Sequence, residues 1–260
     1  MQSDVYSIDL YDGWNPTKKE LTLCGARYHG VFDISKPKLD MRSLLAPDDG
    51  YIDGNAIINS MFQERSPDVF ISHSHQDIEL AIAFADFLSQ QFKIGAFVDA
   101  LYWGDSDELL KKLDNKYCRN EHPHDTYSYE KRNVTTSHVH MMLAAALAKV
   151  MRESKVVFYL KPSKSSSYNF ADIDNENGEL STESPWIFLK LTLANLFFNE
   201  QPTPALESFS AKRAEVAPIR YQITDKFPEL TSGDMQRWVN RFKECHDRNL
   251  PALEVLKHIK

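Results

Sequence analysis

Cysteine, glycine and basic charge are all scarce in this chain of 260 residues, and each scarcity excludes something. The three cysteines, Cys24, Cys118 and Cys245, are odd in number and far apart. They argue against a disulfide framework and for a reducing compartment. The nine glycines form no phosphate-cradling run. Neither G-x-x-x-x-G-K-[ST] nor G-x-G-x-x-G occurs, and Gly104 stands alone. A P-loop ATPase or a dinucleotide-dependent dehydrogenase is thereby disfavoured. A formal net charge of -7, with no Lys/Arg run, disfavours nonspecific nucleic-acid binding. No apolar run has the length needed to cross a bilayer. Met1-Gln2-Ser3-Asp4 lacks the basic-then-apolar form of a signal peptide. The expectation is a cytoplasmic chain without nucleic-acid or membrane partners. No internal repeat is visible.

What is present is enough apolar material for a full core, 42% of residues. The most informative stretch is Asp68-Val69-Phe70-Ile71-Ser72-His73-Ser74-His75-Gln76-Asp77. Three apolar residues end abruptly in Ser/His/Asp. The period then changes to a helical one, with Ile78, Ile82, Ala85, Leu88 and Phe92 on one stripe. A buried strand therefore feeds a polar loop and an amphipathic helix. In open α/β sheets that loop is where ligands sit. Ser74 and Asp77 read as a capping box, and a helix start of this kind suits an anion.

Around this stretch, residues 1–66 carry scattered Gly and Pro and short apolar pieces, Val5–Leu10, Leu21–Leu23 and Val31–Ile34. They read as an N-terminal extension with a few strands, a hairpin or a small sheet, and Ala56 to Phe62 as a short helix. Asp105 to Leu113 predicts another short helix. Residues 114–133 and 161–183 are polar insertions. Thr135, Thr136 and Ser137 are capable N-caps for a helix carrying Val139, Met142, Leu143, Ala146, Leu147 and Val150. Residues 155–160 are apolar at nearly every position, as a central parallel strand requires. Ser184 and Pro185 open a helix through Leu189, Leu193, Leu196 and Phe197. Ile219–Ile223 reads as a last strand. Thr231/Ser232 to Lys243 and Pro251 to Ile259 read as C-terminal helices, which make up a segment 225–260. Strands alternating with helices predict an α/β fold with a parallel sheet covered on both faces.

Four pieces in order carry a family resemblance. They are the Asp68–Ser72 strand, Gly95-Ala96-Phe97-Val98-Asp99 with Leu101-Tyr102-Trp103, Glu153 to Leu160, and Ser184-Pro185-Trp186-Ile187. Together they resemble a TIR (Toll/interleukin-1 receptor) domain, in particular the bacterial TIR-like proteins of antiphage defence. The likeness covers residues 67–224 and implies a flavodoxin-like, TIR-type fold. It also implies NAD or a related nucleotide as ligand or substrate, self-association, and a partner effector protein. Enzymes of that family attack the bond between nicotinamide and ribose. Positive charge builds on the ribose carbon, so a nearby carboxylate lowers the barrier. The resemblance puts that glutamate four residues after the S-x-W tryptophan, and here the position is Lys190. A cation about 4 Å from the developing charge costs roughly 4 kcal/mol at an effective dielectric near 20, about a thousandfold in rate.

Glu183 is then the nearest candidate acid, ahead of Glu153 and Asp99. Ser72, His73 and His75 are candidate contacts to phosphate or ribose. Asp99, Trp103 and Trp186 are candidates for binding ribose hydroxyls and stacking on a base, and Lys190 for holding a phosphate. No organic cofactor or metal is expected beyond the nucleotide itself. Cys118, His122, His124, His138 and His140 match no established zinc spacing, which leaves a metal-dependent nucleotide hydrolase as the weakest reading. The two stronger ones are an NAD-cleaving or cyclising signalling enzyme and a non-catalytic nucleotide-sensing or interaction module.

Overall fold

The computed structural model describes residues 5–9, 52–61, 67–74, 77–120, 126–161, 173–174, 179–182, 184–198, 219, 221–223, 227–245 and 251–259. They fall into two compact units. The first holds the described residues of 1–32, 67–98 and 151–260, and the second those of 33–66 and 99–150.

The first unit is built on five parallel strands: β1 (Val5–Ile8), β2 (Val69–Ser72), β3 (Ala96–Val98), β4 (Val156–Leu160) and β8 (Glu229–Leu230), in spatial order β3-β2-β4-β1-β8. This is a flavodoxin-like α/β sheet, as the alternating pattern predicts. Every residue of β4 is buried. A strand with neighbours on both sides and helices on both faces has no solvent side, so all five positions are apolar or aromatic.

Two placements differ from the sequence reading. Val5–Ile8, assigned to an N-terminal extension, is a member of the main sheet and pairs in parallel with β4 and β8. Its four residues are all buried, and Tyr6 lies 5.9 Å from Phe158 between ring centroids. The expected last strand also moves. Tyr221–Ile223 (β7) joins a separate antiparallel sheet with β5 (Ile173–Asp174) and β6 (Glu179–Thr182), and Glu229–Leu230 completes the parallel sheet instead. The remaining pieces expected in the extension, Leu21–Leu23 and Val31–Ile34, lie outside the described residues.

Helices cover both faces of the sheet. On one, Phe158 meets Phe84 of α2 (Ile78–Phe92) edge-on at 5.3 Å, and lies 6.3 Å from Trp238 of α6 (Ser232–Glu244). Trp238 is fully buried, stacks on Phe92 at 4.0 Å, and donates its indole N–H to the Ala252 carbonyl of α7 (Ala252–Leu256) at 2.8 Å. Burying an aromatic of that size is worth several kcal/mol, at about 25 cal/mol per Å² over roughly 200 Å². The opposite face carries Tyr159, packed with Ile187 and Leu191 of α5 (Pro185–Phe198) and with Ile223. Ser184 caps α5 as expected, its Oγ accepting the Ile187 N–H at 3.3 Å. Of the stripe expected on α2, Ala85, Leu88 and Phe92 are buried, whereas Ile78 and Ile82 are half-buried and Ala81 and Phe84 are buried in addition.

The second unit contains α1 (Gly54–Met61), α3 (Ala100–Leu113), a wide turn at Asp114–Cys118, and α4 (Tyr129–Glu153), whose last turn from Met151 counts with the first unit. Helix α4 starts at Tyr129, not at Thr135–Ser137. Those residues lie inside the helix, where Ser137 returns its hydroxyl to the Asn133 carbonyl at 2.7 Å and Thr135 donates to the Asp114 carboxylate at 2.6 Å. Among the described residues, no helix is long and apolar enough to cross a membrane.

Candidate functional site

Strand order locates the first place to look. The chain leaves β2 for β3 on one side and reaches β4 on the other, so the sheet has a topological switch point between β2 and β4. Ligands of open α/β sheets bind outside the carboxyl ends of the strands at such a point. Here those ends are Ser72 of β2 and Tyr159–Leu160 of β4, with Ser72 in register opposite Tyr159. Register partners on neighbouring parallel strands project to the same face, and Ser7 of β1 shares the row. Three hydroxyls therefore stand side by side on the face covered by α5.

The loop after β2 supplies the rest. Ser72, His73, Ser74 and Asp77 are all buried. The Ser74 hydroxyl donates to the Asp77 carboxylate, and the Asp77 N–H donates to the Ser74 carbonyl at 3.0 Å. The capping box expected from these two residues does not form. Asp77 is the N-cap residue of α2 and makes no side-chain bond to the helix, because its carboxylate is turned to Ser74. A buried carboxylate thus stands at the helix start where an anion was expected. His73 Nδ1 lies 3.4 Å from the Ile71 carbonyl.

Helix α5 brings Lys190 to this loop. Lys190 is 2% exposed, and its Nζ donates to the His73 carbonyl at 3.2 Å. The solvated helix position that a charged residue ordinarily takes is excluded. The Ser/His turn and the helix opened by Trp186 therefore converge within hydrogen-bond distance, 117 residues apart in sequence. Trp186 itself is half-buried on the first turn of α5.

Tyr159 is a participant that sequence reasoning missed. Burial, aided by the Asp77 carboxylate, pushes its phenol far above the ordinary tyrosine range. It stays protonated, can offer a donor, and is not a base. The one available signal was a polar-tipped residue near the carboxyl end of an otherwise apolar strand.

The other expected residues are placed as follows. His75 and Glu183 lie outside the described residues. Asp99 and Trp103 belong to the second unit, with Asp99 buried ahead of α3 and making no side-chain cap. His138 and His140 are exposed on α4, and His122 and His124 lie outside the described residues. Among the described residues, no three His, Cys, Asp or Glu side chains gather as metal ligands. Compared with protein-family models, curated proteins and solved structures, the chain matches none.

Proposed function

We propose that this chain is a TIR-like signalling or defence module whose first unit binds NAD or a related nucleotide at the carboxyl edge of β2 and β4, and that it holds the nucleotide without cleaving it by the family's usual route. The observation that carries the reading is Lys190. It occupies the position the resemblance gives to the catalytic glutamate, it is buried, and it is anchored on the His73 carbonyl at the switch point. A cation there opposes the positive charge of a ribosyl transition state and favours the phosphates of a bound nucleotide. Self-association, or an effector protein as recipient of the signal, follows from the resemblance and belongs to the same proposal.

The test pairs calorimetric titration with NAD and an assay for released nicotinamide, on the full chain and on Lys190→Met, Lys190→Glu and Glu183→Gln. The parent is expected to bind without releasing nicotinamide. Lys190→Met should weaken binding about tenfold, the scale of one buried charge-assisted contact. Release by the parent that vanishes in Glu183→Gln would replace the binding module with an enzyme in which Glu183 is the acid.

A further inference from the structure

We infer that Ser72 and Tyr159 form an uncharged subsite at the β2/β4 switch point, one that takes a neutral hydrogen-bonding group of the nucleotide and disfavours a carboxylate in its place. The inference rests on the nucleotide-binding reading above. Ser72 is 0% and Tyr159 2% exposed, and among the described residues neither hydroxyl meets a protein hydrogen-bond partner. A buried hydroxyl left unpaired is destabilising, and here two stand in register on adjacent strands. The third hydroxyl of the row shows the contrast, because Ser7 Oγ donates to the Phe227 carbonyl at 3.3 Å.

The chemistry of the pair defines what it takes. The serine hydroxyl lies close to the strand, and the tyrosine hydroxyl lies beyond its ring. The two therefore stand at different depths and suit a group with two polar atoms, such as a carboxamide or a vicinal diol. The phenol, kept protonated, offers a donor. The serine offers a donor or an acceptor. The Asp77 carboxylate, 4% exposed, acts on the Tyr159 phenol and penalises a second anion beside it, whereas the Lys190 ammonium is turned to the His73 carbonyl.

The experiment titrates three probes into the full chain and into Tyr159→Phe and Ser72→Ala: NAD, its nicotinic acid analogue, and ADP-ribose. Urea unfolding of all three proteins is recorded alongside. NAD preferred over the acid analogue about tenfold indicates the carboxamide. Equal affinity for NAD and ADP-ribose, with loss in both variants, indicates a diol. Tyr159→Phe should weaken the preferred probe about tenfold while unfolding at the same or a higher urea concentration, since it removes an unpaired group. A structural hydroxyl would lower stability and affinity together, and that result overturns the subsite. Parent and variants binding all probes alike would also overturn it, leaving the nucleotide reading intact. No binding of any probe would overturn both.

Discussion

The two edges of one parallel sheet treat their polar groups differently. At the amino edge, Asp68 is used in full. Its carboxylate takes the Lys155 ammonium at 2.6 Å and the Gly95 N–H at 3.3 Å, and its carbonyl accepts from the N–H groups of Lys155 and Val156. Those bonds tie together the starts of β2, β3 and β4. At the carboxyl edge, Ser72 and Tyr159 are more deeply buried and have no such partners among the described residues. The same strands thus end in a closed polar network on one side and an open one on the other. Closed networks hold a fold together. Open buried ones raise its free energy, and that cost is expected where a ligand completes the bonding.

The closed kind recurs in the second unit, and it gives the largest expected effect. Asp114 is buried, and both of its oxygens are paired, with Arg132 Nε at 2.8 Å and Thr135 Oγ1 at 2.6 Å. Asp114→Ala should destabilise by about 2 kcal/mol in urea unfolding. A loss no larger than that of an exposed aspartate would end the equation of closed networks with stability.

A smaller effect is expected at Thr231 and Asp234, which form a reciprocal capping box at the start of α6. Burial pushes the Asp234 carboxyl up. Bonds from Thr231 and the Arg237 guanidinium outweigh it and hold the group below its usual range. A carboxyl depressed in the folded state stabilises above its unfolded value and loses that contribution as pH falls through its folded one. Thr231→Ala should therefore cost about 1 kcal/mol at pH 7. The difference between variant and parent should shrink below about pH 4. Urea midpoints at pH 7 and pH 3 check both signs.

The smallest effect belongs to Asp68, whose pairing with Lys155 is partly solvated. Asp68→Ala should cost about 1 kcal/mol or less, and less again in 1 M salt. This value sharpens the edge comparison. A loss at Asp68, set against no loss or a gain in Tyr159→Phe, is the pattern that separates a closed edge from an open one.

The legibility of the fold followed length and periodicity. The unbroken apolar run of β4 announced a central strand, and Ser184-Pro185 announced the start of α5. Glu229–Leu230 is too short to show a period. Val5–Ile8 looked like any short apolar piece, because its partner lies about 150 residues away in β4. The start of α4 was hidden because Ser137 suits a cap as well as it suits bonding back to the preceding turn, and Thr135 as well as it suits a long-range carboxylate. At the candidate site, Ser72, His73 and Lys190 were singled out by residue type, whereas Tyr159 was hidden inside a hydrophobic run.

From sequence alone follow the α/β class, the strand that ends in Ser72, and the cation standing at position 190. Those depend on local patterns of polarity, which a linear chain displays. Only tertiary structure decided that Lys190 reaches the His73 carbonyl, that β1 enters the main sheet, and that Ser72 and Tyr159 stand side by side without a hydrogen-bond partner among the described residues. Each of these depends on register between segments far apart in the chain. Strand pairing and helix docking set that register through packing and hydrogen bonds that no local window contains.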